Sequence, residues 1–269
     1  MKRIVYLILS AILICTALSV FSVPASAAQP SWSEIRSVIE NAKSGDVLEF
    51  ELDYRLTADM TVTVKVPCQI HFIGKTKSPC VISASDSGNT CFKIGANNVS
   101  IICENVVFDG FSTSSEGGFA TVTGEKCIID GIVCKNCTAG MSGGAITVRG
   151  KQFTATNSRF ENCSSKIGGA IQFYSGATGG TVSKCTFTGC TATSGGNCVK
   201  GAYDTKVEGC TPTFNYTDYR DCEQGTSDVH VGSVLSDGNI WVIVAVAAVA
   251  VCAIAVLAVY KKKKEKAGK

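Results

Sequence analysis

The sequence predicts an all-β protein whose short strands coil into a parallel β-helix of about seven rungs, because three markers repeat in one phase. The first marker is a glycine pair. Gly117-Gly118, Gly143-Gly144, Gly168-Gly169 and Gly195-Gly196 begin 26, 25 and 27 residues apart. The second is Phe108-Asp-Gly-Phe111, Cys134-Lys-Asn-Cys137, Phe160-Glu-Asn-Cys163 and Phe187-Thr-Gly-Cys190, at steps of 26, 26 and 27. The third is a single glycine at Gly95, Gly124, Gly150, Gly176 and Gly201. Units that recur this way bury their apolar faces only against their neighbours, so the core exists only in the stack.

Within a unit the texture is that of short strands. Residues 145–148 and 170–173 are counterparts, and 154–160 and 181–187 alternate apolar or small with polar residues, which reads as half-buried strand. About three strands fit one period, and each pairs in parallel with its copy ~4.8 Å above. Leucine-rich repeats lack support, because Leu-x-x-Leu-x-Leu is absent, and propeller blades need units of ~40 residues or more.

The rest of the chain falls into order around the coil. Lys2 and Arg3, an apolar run and Ala25-Ser26-Ala27 form a secretory signal peptide, residues 1–27. Residues 28–45 hold a capping helix. Trp32, Ile35, Val38, Ile39 and Ala42 lie on one face, Ser31 or Ser33 is at the start, and Gly45 is at the C-terminal end. Such a helix covers the open core and unpaired edge of the first rung. The β-helix itself spans 46–222, followed by a polar linker, 223–239. The uncharged run 240–260 is 21 residues long, enough to cross a ~30 Å hydrocarbon core. Lys261 to Lys264 open a basic tail, 261–269, which belongs on the cytoplasmic side. The expected location is therefore the cell membrane, single-pass, with the coil outside.

The helix, Gly45-Asp46, strand and stacked rungs together resemble the right-handed parallel β-helix proteins of the pectin-lyase-like superfamily. Gly-Gly-Ala-Ile at 143–146 and 168–171, alternating with Phe-x-x-Cys, is similar to the Gly-Gly-Ala-Ile and Phe-x-x-Asn repeats of chlamydial polymorphic outer-membrane proteins and related bacterial surface adhesins. The likeness covers roughly residues 31–222. It departs at positions 137, 163 and 190, where Cys replaces Asn, and in ending on one apolar run instead of an autotransporter barrel. It implies a right-handed coil and a surface role, while fold alone does not assign function.

Chemistry is sparse. The formal charge of +3 comes from the ends, and the middle is mildly acidic, which argues against nucleic acid as a partner. A polysaccharide lyase or hydrolase on this coil needs convergent carboxylates. One period apart, only Glu104 and Asp130 form a candidate stacked pair, with Arg149 on another strand. These read as solvated outer-face groups. His71 and His230 are read as surface or satisfied histidines. Cys15 and Cys252 fall in the two apolar runs, leaving 13 cysteines outside. Cys134 and Cys137 occupy repeat positions, so no metal or redox site is assigned to them, and no cofactor is expected. Cys137, Cys163 and Cys190 stack as a column that is either an apolar ladder or a set of inter-rung disulfides. Tyr174 and Tyr203 are ordinary strand tyrosines or exposed stacking groups. The leading expectation is a non-catalytic surface module for adhesion or for binding glycans or proteins. A polysaccharide-degrading enzyme and a purely structural envelope protein are the alternatives.

Overall fold

The structure, a computed structural model, describes residues 20–22, 29–85 and 88–224. It is a parallel β-solenoid of about six turns, with one short helix, α1 (Trp32–Glu40). Most of the leader, most of the linker, the apolar run 240–260 and the basic tail lie outside the described residues. Among the described residues no helix is long and apolar enough to cross a membrane.

Three ladders of strands run along the coil. The first stacks Val47–Leu52, Gln69–Gly74, Ser100–Glu104, Ile128–Asp130, Thr154–Thr156 and Thr181–Ser183. The second has six strands: Leu56–Ala58, Cys80–Ala84, Val106–Asp109, Val133–Lys135, Arg159–Glu161 and Thr186–Thr188. The third stacks Val62–Val64, Phe92–Ile94, Ala120–Val122, Ile146–Val148 and Ile171–Phe173. A short four-stranded ladder occupies the corner between the second and third. The ten-residue strand Val199–Glu208 bends round the last corner. Val199 pairs with Ile171 in the third ladder, and Lys206 pairs with Thr181 in the first.

The turn number is six, not seven, because the residues after Glu208 do not complete another turn, and the early turns are uneven in length. In the first ladder Val47 registers with Gln69, Gln69 with Ser100, and Ser100 with Ile128, steps of 22, 31 and 28. The second ladder keeps 26 from its first pair, Leu56 with Ile82, and widens only to 27 at Arg159 with Thr186. The end of the chain is spent on a closing loop and the strand Tyr219–Gln224.

The stretches 154–160 and 181–187 are each two strands, not one. Asn157 (φ 49°) and Lys184 (φ 52°) turn left-handed and swing the chain from the first ladder to the second. A corner made by one residue in that conformation leaves the polar alternation intact, which is why it reads as a continuous strand. The glycine pairs are the turns that the repeat implied. Gly117, Gly143 and Gly168 have φ near +60°, and a Cβ on Gly144 would overlap the Gly169 carbonyl of the next turn.

The interior is apolar and layered. Leu56, Ile82, Phe108, Cys134, Phe160 and Phe187 fill one inner column, confirming that Cys134 takes the place of a phenylalanine. Phe111 and Phe119 pack on Phe108, with centroids 6.2 and 4.7 Å away. Phe160 stacks on Phe187 at 5.1 Å.

The helix covers the first turn as expected. Ser31 is its N-cap, with the reciprocal Ser31–Glu34 capping box. Trp32, Ile35 and Ile39 are buried, and Trp32 Nε1 donates to the Met60 carbonyl at 2.7 Å. Two details differ. Val38 is exposed, because it lies about 60° round the helix from Ile35. Gly45 (φ 91°) lies beyond the Asn41 C-cap and turns the chain into the first strand, its N–H donating to the Pro67 carbonyl. Val20–Ser22, inside the stretch read as a leader, pairs in parallel with Val47–Glu49.

Candidate functional site

The register separates the carboxylates that sequence spacing paired. Ser100 registers with Ile128, 28 residues on, so Asp130 faces Ile102 and Thr156, not Glu104. Glu104 faces Ile73. Asp130 Oδ1 accepts a hydrogen bond from Asn157 Nδ2 at 2.8 Å. His71 is half-buried on the outer side of the first ladder, between Glu49 and Ile102. Its Nε2 is shielded and has no hydrogen-bond partner among the described residues, so it is not a satisfied histidine. His230 lies outside the described residues.

Arg149 does take part in a polar constellation, but with a partner that spacing did not suggest. It lies just past the third-ladder strand Ile146–Val148. Its Nη2 is 2.7 Å from Glu116 Oε1 and its Nε 3.3 Å from Oε2. The guanidinium carbon sits 3.8 Å from the centre of the Tyr174 ring. Tyr174 donates its hydroxyl to Glu116 Oε1, and Ser142 Oγ lies 3.4 Å from the same hydroxyl. Burial, then the bond to Glu116, pushes the Tyr174 phenol up, and the Glu116 bond holds the Arg149 guanidinium more firmly protonated. Both Glu116 oxygens therefore accept hydrogen bonds, Oε1 from two donors and Oε2 from one. Such a carboxylate orients the groups around it.

Glu116 reaches this position through the glycine turn. It directly precedes Gly117-Gly118, and its carbonyl accepts from Thr121 Oγ1 at 3.1 Å. Ser142 repeats the arrangement before Gly143-Gly144, its carbonyl accepting from Thr147 Oγ1 at 2.8 Å. The turn thus folds polar side chains back over the outer face of the third ladder. Its position before a glycine pair was the available signal for Glu116.

The same outer face carries a second group in the last turn. Lys200 pairs with Asp221, and its Nζ lies 5.6 Å from the centre of the Tyr203 ring. Arg220, in register with Lys200, lies across Gly195 and has no carboxylate partner among the described residues. Tyr203 is 71% exposed and sits at φ 64°, a conformation rare for a bulky residue. Gln172 is buried between Thr147 and Lys200 on this face, and its Oε1 is unpartnered. The structure thus distinguishes the two tyrosines: Tyr174 is locked under Arg149, and Tyr203 is presented to solvent.

All thirteen described cysteines are thiols. Cys137, Cys163 and Cys190 form the expected column, beside the in-register residues Thr138, Ser164 and Thr191. Among the described residues no group of three or more His, Cys, Asp and Glu side chains is arranged to hold a metal ion. A cleft beside Met60, Asn89, Thr90 and Phe111 has a volume of about 10 Å³, room for one water at most. No protein-family model, curated protein or solved structure matches this chain.

Proposed function

We propose that this chain is a membrane-anchored, extracytoplasmic surface module that binds glycans or proteins without catalysing a reaction. The outer face of the third ladder is its binding wall. The observation that carries this reading is Tyr203. A large ring held both in solvent and in a strained backbone conformation is unfavourable on two counts. Within the fold the ring has only the Lys200 ammonium, 5.6 Å from its centre, whereas a ligand stacking on the ring would bury its exposed face. Lys200, Arg220 and Asp221 beside it supply the polar groups that fix a sugar or a protein side chain.

The pairing of Glu116 with Arg149 and the separation of Glu104 from Asp130 favour binding over polysaccharide cleavage. The likeness to polymorphic outer-membrane-protein repeats agrees with a surface role, and the apolar runs at the two ends of the sequence support the anchored, exported topology. The test applies the full-length chain in detergent micelles to a panel of acidic and neutral polysaccharides, with bound and released sugar read together. Retention without release is expected. Released product would establish the enzyme reading, and neither binding nor release would favour a protein partner or a structural role.

A further inference from the structure

The coil brings cysteines of successive turns into register, and one pair differs from the others. Thr186 and Thr211 bridge in parallel, and Thr211 N donates to the Cys185 carbonyl at 2.9 Å. Cys185 and Cys210, the residues just before them, are therefore neighbours in adjacent turns. Strand spacing of ~4.8 Å lies within the Cα range that a disulfide accepts. The two thiols sit alike, each donating to a carbonyl of the turn below it, Cys185 to Ala155 at 3.7 Å and Cys210 to Val182 at 3.5 Å. Access sets the pair apart: Cys210 is the one cysteine among the described thirteen that is not buried.

We propose that Cys185 and Cys210 form an oxidisable pair whose disulfide staples the last turn of the solenoid to the turn before it. The other end of the coil is covered by α1. At this end the closing loop places Phe214 on Tyr219 at 5.5 Å, and a staple holds the last turn, whose final strand is Tyr219–Gln224. The oxidant is a small or protein disulfide. The Cys210 thiolate attacks one sulfur of that disulfide and releases the other as a thiol, giving a mixed disulfide. The Cys185 thiolate then attacks the Cys210 sulfur, and the second oxidant sulfur leaves as a thiol. The oxidant disulfide gains two electrons and two protons, and the pair loses the same. Cys210, the more exposed of the two, meets the oxidant first, and Cys185, buried beside it, resolves the mixed disulfide. Cys137 and Cys163, fully buried, are pushed well up. The step needs only the oxidant, so its test is independent of the binding reading.

The experiment treats the reduced full-length chain in detergent with oxidised glutathione, blocks remaining thiols with N-ethylmaleimide, and maps the digest. The expected first product is a peptide pair joined through Cys185 and Cys210. Fragmentation distinguishes Cys185 from Cys190 and Cys198, which share its tryptic peptide. Cys185→Ser should trap one glutathione on Cys210, and Cys210→Ser should leave Cys185 unmodified. The linked protein should melt about 5 °C or more above the reduced one. A first disulfide joining any other pair, a persistent glutathione on Cys210 in the unmutated chain, or an unchanged melting point would overturn the proposal.

Discussion

The first two turns and the later ones build the same coil by different means. In residues 46–104 the first ladder steps irregularly, and Phe50, Phe72 and Phe92 are in contact across turns. Residues 105–190 step at nearly constant length, also keep phenylalanines such as Phe108, Phe160 and Phe187 inside, and control the backbone more tightly. Gly110, Asn136, Asn162 and Gly189 all take positive φ at one corner, and the glycine pairs stack backbone on backbone at another. Where the interior is large and apolar, many sequences fit. Where turns approach closely or reverse hand, only one or two residue types fit. The early half is specified mainly by burial, and the later half by burial and backbone geometry together.

Substitutions can break or sharpen this contrast. Gly144→Ala should be the most damaging, because its Cβ would overlap the Gly169 carbonyl and lie 2.7 Å from Ser164 N and O. A loss of about 3 kcal/mol or more is expected in denaturant unfolding, at the upper end of overpacking costs. Phe72→Leu in the early half should cost about 1.5 kcal/mol or less, since an apolar group of similar size can repack there. If Phe72→Leu cost as much as Gly144→Ala, the contrast would fail. Asn162→Ala places an ordinary residue at φ 53° and should cost about 1–2 kcal/mol, whereas Asn162→Gly should be close to neutral. Gly176→Ala, with open space around its Cβ, should stay within about 0.5 kcal/mol of the parent.

The smallest effect concerns the cap. Hydrogen bonds from the Ser31 side chain and then its backbone hold the Glu34 carboxyl below its usual range. Its contribution is therefore present above the unfolded carboxyl pKa and is lost as pH falls through the lower folded value. Thermal midpoints of the parent and Glu34→Gln should differ slightly at about pH 6 and converge toward about pH 3. A gap that widened on acidification would contradict the capping account.

What could be read from the sequence follows the same division. The glycine pairs and the Phe-x-x-Cys marker were visible because backbone contacts dictate residue type there. The left-handed third position of that marker, Gly110, Asn136, Asn162 and Gly189, was also present in the letters as a choice between Gly and Asn. Lys126, Gln152 and Lys184 turn left-handed too, with no residue signature to announce it. The early step lengths were not legible, since Val, Ile, Phe and Leu specify burial without register. That error displaced the candidate Glu104–Asp130 pair by two residues. The Arg149–Glu116 contact joins residues 33 apart, more than one period, because the glycine turn carries Glu116 back over the ladder. Tyr203 could be named as a candidate, but its strained, exposed state is a property of the bend in the last long strand.

The measurement that bears most directly on the binding reading pairs Tyr203→Gly with the parent chain, following polysaccharide retention and thermal midpoint on the same samples. Glycine relieves the positive φ while removing the ring, so the account predicts that retention is lost and the midpoint holds or rises. Retention unchanged by Tyr203→Gly, or lost only together with a fall in the midpoint, would contradict it.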